Sequence, residues 1–245
     1  MPDEALGAAD RTLIEGLRAA LAAAADPERA PRMQAYMKSA MPYLGVPSTP
    51  LRGIVRDIDA AHPLPTFEAW RDTILALWRE ATYREERYAA LELAGRPRYR
   101  AYRARTSEVL PLYEELIVSG AWWDLVDATA HLLRDLVRDD HDLLAPRIRE
   151  WSTDPDLWKR RAAIISQLGL KSATDWPLLQ ECIEANLEDG SLPRPELGEG
   201  WIRKAIGWAL RDYARAAPEV VRAYVEALGP RLSPLSRREA LKHLA

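Results

Sequence analysis

Three short runs of this 245-residue chain combine residue types that do chemistry: A-W-W-D-L-V-D-A at 121–128, R-A-A-I at 161–164 and G-W-A-L-R at 207–211. Trp123 and Asp127 are four residues apart, so a helix sets one above the other on a single face. Trp208 and Arg211, three apart, share a face in the same way. Bulky aromatics beside one carboxylate and two arginines, Arg161 and Arg211, are an odd mixture for a buried core. They suit a surface that meets something cationic and flanked by phosphate. A fixed carboxylate stabilises positive charge that develops beside it where water is excluded. Indole faces attract cations by about 0.5–2 kcal/mol each. Arginine forks grip phosphate oxygens through charge-assisted hydrogen bonds, often in pairs.

Simpler readings of the same residues stay open on spacing alone. A tryptophan at helical spacing is usually core, and Trp70, Trp78, Trp151, Trp158 and Trp176 are read that way. Asp127 could pair with His131, one turn further on, or with an arginine of a neighbouring helix. Trp123, Asp127 and His131 at i, i+4 and i+8 also invite an acid–base hydrolase reading. No G-x-S-x-G elbow supports it, and Cys182 sits among ordinary helical residues. His62, His131, His141 and His243 show no H-E-x-x-H spacing, and neither a P-loop nor G-x-G-x-x-G occurs.

The elements that must carry these residues are helices. Apolar residues recur at three- and four-residue steps, as in Leu13, Leu17, Ala20, Leu21 and Ala24, and around Arg161 in Leu157, Ile164, Ile165 and Leu168. Alternating β-branched runs are essentially missing. Thr49-Pro50, Asp154-Pro155 and Ser233-Pro234 each place a capping side chain before a proline at a helix start. Ser236 and Glu239 could form a capping box, and Gly120, Gly169 and Gly229 are expected stops. These signals divide the chain into roughly a dozen helices of about 10–16 residues. The one long irregular stretch expected is Glu188–Gly200, rich in Gly and Pro. Short helices in unbroken succession point to an all-α fold, an α-solenoid of antiparallel pairs restarting every ~35–45 residues in the manner of HEAT repeats. A closed helical domain is the alternative.

Composition, at 48% hydrophobic and 29% charged, is that of a soluble globular protein. A single cysteine excludes an internal disulfide and cysteine-rich metal sites. The acidic start M-P-D-E-A-L is not a signal peptide, and no apolar run reaches membrane-spanning length, so a cytoplasmic location is expected. Net charge is −3, but residues 159–245 carry 14 Lys/Arg against 11 Asp/Glu. A local basic face attracts phosphate despite negative net charge, because screening confines the interaction to about 8–10 Å.

The segments Y-M-K-S-A-M-P-Y-L-G-V-P-S-T-P-L-R (36–52), W-W-D-L-V-D (122–127), W-K-R-R-A-A-I (158–164) and W-I-R-K-A-I-G-W-A-L-R-D-Y-A (201–214) resemble, in order, the AlkD family of bacterial DNA alkylpurine glycosylases. The resemblance covers about residues 30 to 240. It implies one domain over 1–245, a curved stack of HEAT-like helix pairs whose concave face holds duplex DNA. It implies excision of cationic N3- or N7-alkylated purines, without metal or cofactor and without flipping the base. Residue by residue, it makes Asp127 the catalytic carboxylate and sets Trp123 and Trp208 beside the lesion. Arg161 and Arg211 become DNA contacts, joined by Lys204 and by Tyr36, Lys38, Thr49 and Arg52 on the DNA backbone. No lysine is an obvious Schiff-base nucleophile, so a monofunctional enzyme leaving an abasic site is expected, acting as a monomer. Two other classes fit the scaffold: a non-catalytic module for distorted or branched DNA, and a protein-binding scaffold, which the negative net charge favours.

Overall fold

The computed structural model describes residues 6–187 and 199–244. The chain is all-α: fourteen helices and three single 3-10 turns, with no strand among the described residues. It divides after Arg105 into two compact units. The first holds α1 (Arg11–Ala23), α2 (Ala30–Met37), α3 (Ser48–Ala61), α4 (Phe67–Arg79), α5 (Arg84–Ala94) and the short α6 (Arg100–Arg103). The second holds α7 (Thr106–Gly120), α8 (Trp123–Asp139), α9 (His141–Ser152), α10 (Leu157–Ile165), α11 (Trp176–Glu184), α12 (Glu199–Tyr213), α13 (Pro218–Leu228) and α14 (Pro234–Ala240). No described helix is long and apolar enough to cross a membrane.

In the first unit, Leu13, Ile14, Leu17 and Leu21 give α1 one apolar stripe, which packs on α3 and α5. The connection into α3 is fixed by a charge. Buried Glu85 accepts from the backbone N–H groups of Leu44, Gly45 and Val46 at 3.0, 2.8 and 3.1 Å. Gly45 has φ +88°, and a Cβ there would stand 2.2 Å from the Asp26 carbonyl oxygen, so only glycine fits.

The second unit grows pair by pair in solenoid-like fashion. Helices α7 and α8, joined by two residues, pack on one another; α8 meets α9 and α10, α9 and α10 meet α11, and α10 meets α12, which packs on α14. Helix α10 is the hub, touching α7, α8, α9, α11 and α12. Leu125, Val126, Thr129, Ala130, Leu133, Leu136 and Val137 form the buried stripe of α8. Ile202, Ala205, Ile206, Ala209 and Leu210 do the same for α12. The other faces of both helices are left for Trp123, Asp127, Lys204 and Trp208.

Several helix ends differ from the sequence expectation. Thr49 lies inside α3, whose cap position is Pro47 with no side-chain bond. Asp154 does not cap α10; Asp156 does, accepting from Trp158 and Lys159, while Asp154 accepts from the Asp156 N–H and binds Lys159. Ser233 caps α14 as expected. Ser236 and Glu239 form no capping box, because Ser236 donates to the Arg203 carbonyl and Glu239 pairs with Arg211. Gly120 ends α7, Gly229 caps α13, and Gly169 follows α10 with φ +87°. Of the irregular stretch expected at 188–200, residues 188–198 lie outside the described residues, and 199–200 already belong to α12. Trp70, Trp78, Trp151 and Trp158 are buried as expected. Trp176 is half-buried, stacked on Tyr213 at 4.9 Å.

Candidate functional site

A two-residue turn starts α8 by setting Ala121 at φ +43° and Trp122 extended, which places Trp123 at the first helical position and Asp127 one turn later. Arg161, projecting from the hub helix α10, is only 4% exposed. Its Nε donates to Asp127 Oδ1 at 2.7 Å and its Nη2 to Oδ2 at 2.8 Å. Its Nη1 donates to the Trp201 carbonyl at 2.6 Å. Three of the five guanidinium N–H donors are thereby committed.

Burial and this pairing act on the carboxylate in opposite directions. Burial pushes the Asp127 pKa up, opposed by the hydrogen bonds and charge of Arg161 and by His131; the net direction is upward. His131 moves the other way: burial and then the Arg134 charge lower its pKa, against the pull of Asp127, Asp135 and Asp212.

Five indoles lie on or beside the helices that carry the pair. Trp123 stacks on Trp201 with centroids 6.3 Å apart and planes 17° from parallel. Trp201 also meets Trp122 at 5.8 Å and Trp158 at 6.2 Å. Two turns along α12, Trp208 takes His131 edge-on at 6.4 Å. Helices α8 and α12 therefore meet in rungs: Trp123 against Trp201, Asp127 held through Arg161 to the Trp201 carbonyl, and His131 against Trp208. Both Trp123 and Trp208 are half-buried, so each keeps surface for something outside.

The remaining expected residues are placed as follows. Lys204 is exposed, with its Nζ 5.0 Å from the Trp201 ring centre. Arg211 is half-buried and ion-paired with Glu239 of α14. Gly207 permits that pairing, since a Cβ there would sit 2.6 Å from the Glu239 Cβ. In the first unit, Tyr36 is 75% exposed in the last turn of α2, and Lys38 follows in left-handed conformation at φ +50°. Thr49 and Arg52 lie exposed in the first two turns of α3, with Arg52 only 3.6 Å from Glu92. Arg161, expected to reach phosphate, instead spends most of its fork on Asp127 and Trp201. The residue missed by the sequence reading is Trp201. Its seven-residue spacing from Trp208 on one helix face was the available signal.

Among the described residues, no three His, Cys, Asp or Glu side chains gather as a metal-binding group. Packed helix pairs carrying a carboxylate held by an arginine fork define an all-α, solenoid-like protein. The family described as DNA alkylation repair enzyme matches residues 17–244, and the chain belongs to that family. Among solved structures, one titled a predicted DNA alkylation repair enzyme from Enterococcus faecalis is 31% identical, with a TM-score of 0.77. The match covers 90% of this chain and 97% of that one. No curated protein matches the chain.

Proposed function

We propose that this protein is an AlkD-like DNA glycosylase that hydrolyses the N-glycosidic bond of cationic N3- or N7-alkylated purines in duplex DNA. The observation that carries the reading is Asp127: a carboxylate only partly exposed and held by Arg161, with Trp123 on its own helix and Trp208 across on α12.

An alkylated purine already bears positive charge, so its glycosidic bond needs little acid assistance. Breaking that bond spreads positive character onto the deoxyribose. Asp127, fixed in a site from which water is largely excluded, stabilises that charge and orients the attacking water. The Arg161 fork keeps the carboxylate in place during the step, and the partly exposed indoles flank the cationic nucleotide. The lesion stays in the base stack, and the products are free base and an abasic site. Phosphate contacts fall to Lys204, Arg211 and the remaining donors of Arg161, together with Tyr36, Lys38, Thr49 and Arg52. The chain acts in this reading as one HEAT-like catalytic module, monomeric and cytoplasmic, without metal or cofactor.

The test is release of free base from a duplex containing one N7-methylguanine, by wild type and Asp127→Asn in parallel. Excision that falls by about 10²–10³-fold in the variant, the scale of a lost electrostatic stabiliser, supports the role of Asp127. Duplex affinity should hold or rise, since a charge repelling phosphate is gone. Firm, salt-dependent binding without release from this or a 3-methyladenine duplex would indicate a binding module instead.

A further inference from the structure

Trp201 touches Arg161, Trp123 and Lys204 of the Asp127 centre without belonging to any role assigned above. Its carbonyl accepts the third Arg161 bond at 2.6 Å, and its ring lies 5.7 Å from the same guanidinium carbon. One ring contact is the near-parallel stack on Trp123, and others are Trp122 and Trp158. The Lys204 ammonium also sits at this ring, at 5.0 Å.

These contacts constrain two groups at once. An arginine fork delivers two parallel bonds to a carboxylate only if its plane is fixed. The Asp127 bonds and the carbonyl fix it in the plane, and the indole beside it limits motion out of the plane. Stacking likewise covers one side of Trp123 and sets the direction in which its free surface points. We propose that the Trp201 side chain is a positioning residue, holding the Arg161 fork on Asp127 and setting the plane of Trp123. The consequence for excision rests on the glycosylase reading; the consequence for the Arg161–Asp127 pair does not.

Substitution leaves the carbonyl in place and removes only the ring, which makes the side chain testable by itself. The variants are Trp201→Leu and Trp201→Phe in the full chain, with Trp201→Met replacing Leu if that one does not fold. Two quantities are read: exchange of the Arg161 Nε proton with solvent by heteronuclear NMR, and single-turnover excision beside duplex affinity. In Trp201→Leu the Nε proton is expected to exchange about tenfold faster, and excision to slow by about 10- to 100-fold, the scale of a small misplacement. Duplex affinity stays within about twofold, and Trp201→Phe restores most of both losses. Unchanged proton exchange in Trp201→Leu overturns the proposal. So does a loss of rate and affinity in step with the unfolded fraction. A wild type that releases no base, while Trp201→Leu still speeds the exchange, refutes the glycosylase reading and leaves the positioning role standing.

Discussion

Asp127 and Arg161 meet through two parallel N–H···O bonds of 2.7 and 2.8 Å, with the carboxylate side chain 14% and the arginine side chain 5% exposed. Each charge is the main reason the other tolerates burial. Removing both from water costs several kcal/mol per ion, and only close geometry with further bonds offsets it. The third Arg161 bond, to the Trp201 carbonyl, is one of those further bonds. The same pair therefore bears on stability and on chemistry, and the two contributions can be pulled apart.

Arg161→Met removes one partner and leaves an uncompensated buried carboxylate, which should cost about 3–5 kcal/mol of stability. The double variant Arg161→Met with Asp127→Leu removes the orphaned charge as well and should recover most of that loss. Both should be inactive in base release. Denaturant unfolding of the two single variants and the double variant measures the coupling. Equal stability for Arg161→Met and the double variant would show that the pair does not carry the energy assigned to it.

The pH dependence follows from the directions at Asp127 and His131. The Asp127 pKa is raised, first by burial, so the ionised form that excision needs disappears at a higher pH than the usual ~3.9 for aspartate. The His131 pKa is lowered from about 6.5, first by burial, so the two groups titrate closer together than free side chains would. For stability their signs oppose. Asp127 contributes most below its unfolded pKa, and that contribution is lost as pH rises through the folded value; the His131 contribution is present above its unfolded pKa and lost as pH falls. Excision is expected to decline on the acid side with an apparent pKa above that of a free aspartate. A pH–rate profile of His131→Gln separates the groups: a limb that persists there belongs to Asp127, and one that vanishes belongs to His131.

How far the sequence could carry this site depends on the range of each interaction. Helix identity and the outward stripes of α8 and α12 are local, set by residues three and four apart, so the shared face of Trp123 and Asp127 was legible; their roles, with that of Trp208, came from the family resemblance. The caps were less so. Asp154 and Asp156 both precede α10 within three residues, and only the Lys159 ammonium, bound to Asp154 at 2.7 Å, shows which one is diverted. Partners far apart in the chain were legible only by type: an arginine of a neighbouring helix was one expected partner of Asp127, but nothing local named which. Arg161 finds Asp127 across 34 positions and Arg211 finds Glu239 across 28. Helical periodicity names the face a side chain occupies but not the helix opposite it. For the same reason Trp201 read only as part of a motif until its contacts with Trp122, Trp123 and Trp158 were seen.

A close approach of α12 to α14 gives a last test, at a residue with no side chain. A Cβ on Gly207 would lie 2.6 Å from the Glu239 Cβ and 3.1 Å from the Ser236 carbonyl oxygen. The first of these atoms is anchored to the α14 backbone and the second belongs to it, so rotation of a side chain cannot relieve the contact. Gly207→Ala must therefore push α14 outward. Helix propensity favours alanine by about 1 kcal/mol, whereas overpacking typically costs about 1–3 kcal/mol. With backbone in the way, the cost should prevail and thermal unfolding should shift downward. The displacement also draws Glu239 from Arg211, leaving that guanidinium freer to meet phosphate. Duplex affinity measured against salt should then show an unchanged or steeper slope in Gly207→Ala, despite its lower stability. A variant as stable as wild type would mean that α14 can shift without cost, and that Gly207 is not what holds Arg211 against Glu239.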